Sequence, residues 1–204
     1  MYIQNFNNLS LRDMKLLAFR IASKIDQYNI ILLNGGLGSG KSYLASSIIN
    51  SFYYLNNIVN QDIDYSRITN IDSFKGVFNV TSPTYNILKI YDIKNRTSNE
   101  LFEYILHNNK LFNISSDVNL DKIMDSNISI YHYDLYRLKS EDEIFELNIE
   151  EAFNNITIIE WPDIINNMNM DKSKIININI EIPEKTNEDI MDLRNVNITS
   201  SFNL

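Results

Sequence analysis

One nine-residue stretch, NGGLGSGKS, holds all but one of the 5 glycines in this chain of 204 residues. Gly35, Gly36, Gly38 and Gly40 stand almost side by side, where the backbone is free to take φ > 0 and to approach another group closely. The segment from Gly35 to Ser42 satisfies the pattern G-x-x-x-x-G-K-[ST]. Its flanks fit the same idea. Residues 29–34, NIILLN, form a short apolar run that reads as a buried strand. After Lys41, SYLASSIINSFYYL places Leu44, Ile48, Ser51/Phe52 and Leu55 on one helical face. Strand, glycine loop and helix is the order a phosphate-binding loop requires. Successive loop N–H groups converge on an anion, and the unpaired N–H groups of the following helix add to them. Lys41 then reaches the β- and γ-phosphates and the Ser42 hydroxyl ligates Mg²⁺. The candidate nucleotide site is therefore Gly35, Gly36, Leu37, Gly38, Ser39, Gly40, Lys41, Ser42 and Tyr43. The competing reading of the stretch is a flexible glycine turn.

Such a site needs carboxylates for its magnesium, because Mg²⁺ takes oxygen ligands and uses one or two carboxylates beside the phosphates. Two segments offer them. YHYDLYRL, residues 131–138, follows the apolar ISI and alternates as a strand, with His132, Asp134 and Tyr136 on one face and Tyr131, Tyr133, Leu135 and Arg137 on the other. Asp134 has the chemistry of a magnesium carboxylate; the alternative is a strand-end aspartate bonded to its own backbone. NITIIEWPD reads as a strand over residues 155–159 that ends in Glu160-Trp161-Pro162. A carboxylate there points into the crevice where open α/β sheets bind ligands. Glu160 is then a metal ligand or orients an attacking water, against the alternative of a solvated strand-end glutamate.

Taken in order, GGLGSGKS, SPTYNIL, HYDLYRL and IIEWP resemble the TsaE family, small bacterial P-loop ATPases of tRNA threonylcarbamoyladenosine (t6A) modification. The resemblance spans roughly residues 8–182. It implies that ATP and Mg²⁺ are the cofactors, with Lys41 and Ser42 on phosphate and metal. Thr84 faces the γ-phosphate in a nucleotide-responsive segment, which makes Lys41, Thr84 and Glu160 the catalytic set. Ser42, Asp134 and Glu160 hold the metal directly or through water. It implies a slow Mg-dependent ATPase that works with TsaD and TsaB, and meets tRNA only through that complex. His132, Tyr136 and Arg137 match the family segment and read as a packed, hydrogen-bonded scaffold around Asp134.

The order of elements predicts an α/β fold, a P-loop NTPase-like three-layer sandwich. Its sheet is predominantly parallel, with an antiparallel hairpin of NILKIYDI and ISIYHYDLYRL. Ser10 and Asp13 predict a capped helix over residues 11–25 with Leu11, Met14, Leu17, Ile21 and Ile25 inward. Ser140 and Glu143 form the S-x-x-E pattern of a capping box, and Asn148 suits a left-handed helix end. KIININIEI alternates Ile176, Ile178, Ile180 and Ile182 as a half-buried strand. Residues 1–183 read as a single P-loop domain with insertions at about 56–80 and 94–127, the second carrying an amphipathic helix capped by Ser98. Residues 184–204 read as a polar tail prone to disorder.

Composition narrows the remaining choices. There is no cysteine, and the 2 histidines, His107 and His132, leave no zinc site of the usual kind. A net charge of −8 without a basic cluster argues against direct nucleic-acid binding. No apolar run approaches the ~20 residues of a membrane helix and the first residues lack a signal-peptide pattern, so a cytoplasmic protein is expected. The main rival function is a small-molecule P-loop kinase. Kinases of this class bring several arginines over the phosphates, whereas Arg12, Arg20, Arg67, Arg96, Arg137 and Arg194 are dispersed.

Overall fold

The computed structural model describes residues 1–24, 29–57, 80–93, 128–184 and 192–204. Both insertions lie outside the described residues apart from their margins, as do Ile25 and the helix expected after Ser98.

In chain order the elements are β1 (Tyr2–Leu9), α1 (Leu11–Ala22), β2 (Ile30–Asn34), α2 (Lys41–Asn57), β3 (Leu88–Ile93), β4 (Ile128–Asp134), two short helices α3 (Glu141–Phe145) and α4 (Ile149–Ala152), β5 (Ile156–Glu160), β6 (Ile175–Glu181) and β7 (Arg194–Ser200). They build a 7-stranded sheet in the order β1-β7-β6-β2-β5-β4-β3. β6, β2, β5 and β4 run parallel at its centre. β3 pairs antiparallel with β4, the hairpin expected from sequence. β7 and β1 add an antiparallel pair on the opposite edge. The sheet is thus a parallel core with antiparallel strands at both edges, more mixed than the predominantly parallel sheet expected.

Side-chain alternation splits the core in two. Ile31, Leu33, Ile158, Ile176, Ile178 and Ile180 join Met14, Leu17 and Ile21 of α1 and Leu44, Ile48 and Phe52 of α2. Ile30, Leu32, Tyr133, Leu135 and Ile159 meet Ile144 of α3, Ile149 and Ala152 of α4, and Ile165. Successive residues point to opposite faces of a strand, and central parallel strands covered on both faces read as continuous apolar runs. That is why NIILLN and ITIIE show no polar alternation.

Local signals fared unevenly. Ser10 and Asp13 form the complete capping box of α1, Ser10 N–H donating to the Asp13 carboxylate at 2.9 Å and Asp13 N–H to Ser10 Oγ at 3.2 Å. Leu11, expected inward, is 42% exposed in the first turn of α1, where its carbonyl accepts from Tyr43 Oη of α2 at 3.1 Å. At α3 the expected box does not close. Ser140 makes no cap bond to the helix backbone, and its hydroxyl only approaches Glu143 Oε1 at 3.4 Å. Asn148 is left-handed, φ 52°, as its place after α3 required. In β6, Ile176, Ile178 and Ile180 are buried, but Ile182 lies beyond the strand and is exposed.

The tail reading is overturned for residues 192–204. β7 lies between β6 and β1, and Val196, Ile198 and Leu204 are buried in the same core as α1 and α2. Val196, Ile198 and Ser200 alternate with polar residues, the period of a strand with one covered face. β1 was likewise not foreseen. Its residues are mostly exposed, and it is held in place by pairing with β7.

Candidate functional site

Parallel packing brings the carboxyl ends of β2, β4 and β5 to one edge of the sheet. Leu33 stands opposite Glu160 in the β2–β5 register, and Asp134 stands opposite Glu160 in the β4–β5 register. The glycine loop leaves β2 at this edge and runs into α2 at Lys41. Gly35, Gly38 and Gly40 have φ of 137°, 73° and 106°. At Gly35 a side chain is also excluded by space, since a Cβ there would overlap the Ile180 carbonyl of β6 and reach 2.8 Å from Ser39 Oγ.

Lys41 is buried beneath this loop. Its ammonium donates to the carbonyls of Gly35 and Gly36, each at 2.8 Å, and sits 3.7 Å from the centroid of the Trp161 ring. Burial pulls its pKa below the ordinary lysine value, and the nearby Glu160 and Asp134 charges oppose that fall. Trp161 is placed by the backbone turn ending β5: it is left-handed, φ 58°, and Pro162 opens a 3₁₀ turn after it. The tilted ring of Tyr136 lies 4.8 Å from that of Trp161.

The oxygen groups converge around this ammonium. Ser42 Oγ donates to Glu160 Oε2 at 2.8 Å. Thr84 Oγ1 donates to Asp134 Oδ2 at 2.5 Å, and Ser82 Oγ lies 2.6 Å from Thr84 Oγ1. The Asp134 N–H bonds the Ile87 carbonyl at 2.9 Å, so the SPTYNIL segment is tied to β4 by backbone as well as by the Thr84 side chain. Leu37, Gly38, Gly40 and Tyr43 line the same cavity of about 300 Å³ with Lys41, Ser42, Thr84, Asp134 and Glu160. Gly35 and Gly36 instead hold the base of the loop on Lys41, and the buried Ser39 hydroxyl has no hydrogen-bond partner among the described residues.

His132, Tyr136 and Arg137 part company. His132 is fully buried and its Nε2 lies 2.9 Å from Glu160 Oε1, so it braces Glu160 rather than Asp134. An ionised carboxylate only accepts, which makes Nε2 the donor; Nδ1 has no partner among the described residues. Tyr136 supports Asp134 through its backbone N–H at 3.1 Å, and the residue is 49% exposed. Arg137 is exposed and stacks over Tyr85, outside any packed scaffold. Sequence reasoning also missed Arg194, whose Nε donates to the Ser39 carbonyl at 2.7 Å. Its distance along the chain hid it, and the strand pattern of VNITS was the one available clue.

Together Ser42, Thr84, Asp134 and Glu160 form an all-oxygen donor set beside one buried ammonium. The chemistry suits a hard divalent ion that keeps waters and phosphates as its other ligands. Among the described residues no three His, Cys, Asp or Glu side chains form a metal cage.

Fold and site together define a P-loop α/β protein, with its loop between a parallel strand and a helix and two carboxylates on adjacent strand ends. The crystal structure of Bacillus subtilus YdiB shares this fold, at TM-score 0.53 and 15% identity over 98% of this chain and 86% of that one. Residues 112–191 match the family model described as "Threonylcarbamoyl adenosine biosynthesis protein TsaE". Curated relatives carry the name tRNA threonylcarbamoyladenosine biosynthesis protein TsaE. The one from Rickettsia felis is 32% identical over 171 residues, 83% of this chain and 68% of the relative. That from Rickettsia conorii is 32% identical, covering 78% and 61%, and that from Rickettsia typhi is 29% identical, covering 95% and 96%. The chain belongs to the TsaE family. No helix among the described residues is long and apolar enough to cross a membrane.

Proposed function

We propose that this chain is the ATP-binding and hydrolysing component of t6A modification, acting with TsaD and TsaB to sustain turnover and meeting tRNA only through them. The observation that carries this reading is the meeting of Ser42 with Glu160 and of Thr84 with Asp134 around Lys41, at the mouth of a phosphate loop.

In this reading the loop N–H groups up to Ser42 and the first turn of α2 bind the phosphates, apart from the Ser39 N–H, which donates to the Gly36 carbonyl at 3.2 Å. Lys41 exchanges its bonds to Gly35 and Gly36 for the β- and γ-phosphates, where its charge offsets that developing on transfer. Ser42, Asp134 and Glu160 would hold Mg²⁺, which neutralises phosphate charge when bound. Thr84 ties the SPTY segment to the γ-phosphate end, so that segment changes its partners as nucleotide turns over. Glu160 is held by His132 at Oε1, and Oε2, which accepts from Ser42 Oγ here, would turn to the metal shell or to an attacking water. The small-molecule kinase alternative gains little, for Arg137 lies exposed at the rim and Arg194 is engaged with the loop's backbone. Cytoplasmic location follows from the same reading.

The test is reconstituted modification of substrate tRNA with TsaB, TsaD, a carbamoyl-adenylate source and MgATP. Sustained turnover should require this chain and fail with Lys41→Ala. Equal modification with no added protein, with this chain and with the variant would sink the reading.

A further inference from the structure

Arg194, the first residue of β7, reaches the backbone of the phosphate loop. Its Nε donates to the Ser39 carbonyl at 2.7 Å and its Nη2 approaches the Gly38 carbonyl at 3.4 Å, while Nη1 bonds Leu193 O at 2.7 Å. A Cβ built on Gly40 would stand 3.7 Å from Nε, so the guanidinium lies along the loop rather than at one atom of it. From beneath, Lys41 takes the carbonyls of Gly35 and Gly36. Loop carbonyls are therefore gathered by two cations, Gly35 and Gly36 by Lys41, and Gly38 and Ser39 by Arg194.

That arrangement has a chemical reason. A loop that turns its N–H groups inward on an anion turns carbonyl oxygens outward. Part-buried carbonyls need donors. A guanidinium presents several donors in a fixed plane and bridges neighbouring oxygens, which an ammonium on a flexible stem does less well. Arg194 is also firmly seated. β7 is paired on both sides, with Glu181 opposite Asn195 and Leu9 opposite Arg194. Gly35, at the other end of the loop, packs on the Ile180 carbonyl of the neighbouring β6.

We propose that Arg194 is a positioning residue of the phosphate site, gripping the outward carbonyls of Gly38 and Ser39 so that the loop's N–H groups stay aimed at the nucleotide phosphates. β7 is then part of the nucleotide site although it lies more than a hundred residues beyond the loop. This inference rests on the ATP reading above. It predicts an effect on phosphate affinity without regard to the base, because the loop atoms Arg194 holds are backbone carbonyls of the phosphate loop.

Calorimetric titration of the full chain with MgATP and with magnesium tripolyphosphate tests it, using wild type, Arg194→Ala, Arg194→Lys and Lys41→Ala, with melting curves for each. Arg194→Ala should raise Kd about tenfold for both ligands at full stoichiometry, equivalent to ~1.4 kcal/mol, and Arg194→Lys should fall between. In steady-state hydrolysis KM should rise while kcat changes far less. An unchanged Kd in the folded fraction of both Arg194 variants, or a loss confined to stoichiometry and melting temperature, would overturn the proposal and leave Arg194 a structural residue. In that case weak binding by Lys41→Ala preserves the ATP reading. Failure of wild type to bind either ligand removes that reading and this proposal together.

Discussion

Replacing His132 with Phe should destabilise the fold through Glu160. The Glu160 carboxylate is 1% exposed and accepts from His132 Nε2 at 2.9 Å and Ser42 Oγ at 2.8 Å. Phe fills nearly the same volume at a fully buried position, so packing changes little and the hydrogen bond is what goes. A bond to a charged group contributes about 1.5–3 kcal/mol, and stranding one oxygen of a buried carboxylate adds to the loss. Removing Nδ1, which has no partner among the described residues, offsets part of it. The net is about 1–3 kcal/mol, a fall in melting temperature of roughly 3–9 °C for a chain of this size. His132→Gln returns an N–H donor near the Nε2 position and should recover most of the loss. Thermal and urea unfolding of both variants measure this, together with a double-mutant cycle against Glu160→Gln that should show coupling of about 1 kcal/mol or more. If His132→Phe unfolds like wild type, or if the two changes add without coupling, the bracing of Glu160 by His132 is refuted.

Other perturbations separate loop, metal and sheet. Gly35→Ala should disrupt the loop and abolish MgATP binding, since its φ is 137° and a Cβ would overlap the Ile180 carbonyl; Gly36→Ala, with nothing within 4 Å, should melt close to wild type. Ser42→Ala should weaken MgATP binding by about tenfold while leaving Mg-free ATP nearly unaffected, as titrations with and without chelator would show. Thr84→Val removes the donor to Asp134 and should slow hydrolysis more than it weakens binding, visible as a fall in kcat in steady-state assays. Ile198→Ala, in β7, should cost about 2–5 kcal/mol in urea unfolding, and a negligible change would argue that β7 is dispensable.

Local features carried most of the site in the order of residues. Gly35, Gly38 and Gly40 take conformations that a residue with a Cβ would resist, so their clustering showed in the letters alone. The apolar runs NIILLN and ITIIE announced central strands, and Asp134 and Glu160 lay where those strands stop. The Ser10–Asp13 cap and left-handed Asn148 depend only on atoms a few residues apart, and they formed as expected. Where a local pattern was ambiguous, packing decided. Ser140 and Glu143 match a capping box, yet the short α3 turns without using it.

The sequence by itself determined that this chain has a phosphate loop between strand and helix, two strand-end carboxylates, and the marks of the TsaE family. Only the tertiary structure decided which groups meet across the sheet. Strand order set Glu160 between Leu33 and Asp134, turned His132 toward Glu160, and folded the polar C-terminal residues into β7 with Arg194 on the loop. The reason is physical. A cap or a glycine turn is closed by contacts within one or two turns of chain. A strand pairing joins residues any distance apart, and its partner is chosen by the burial and backbone hydrogen bonding of the whole sheet.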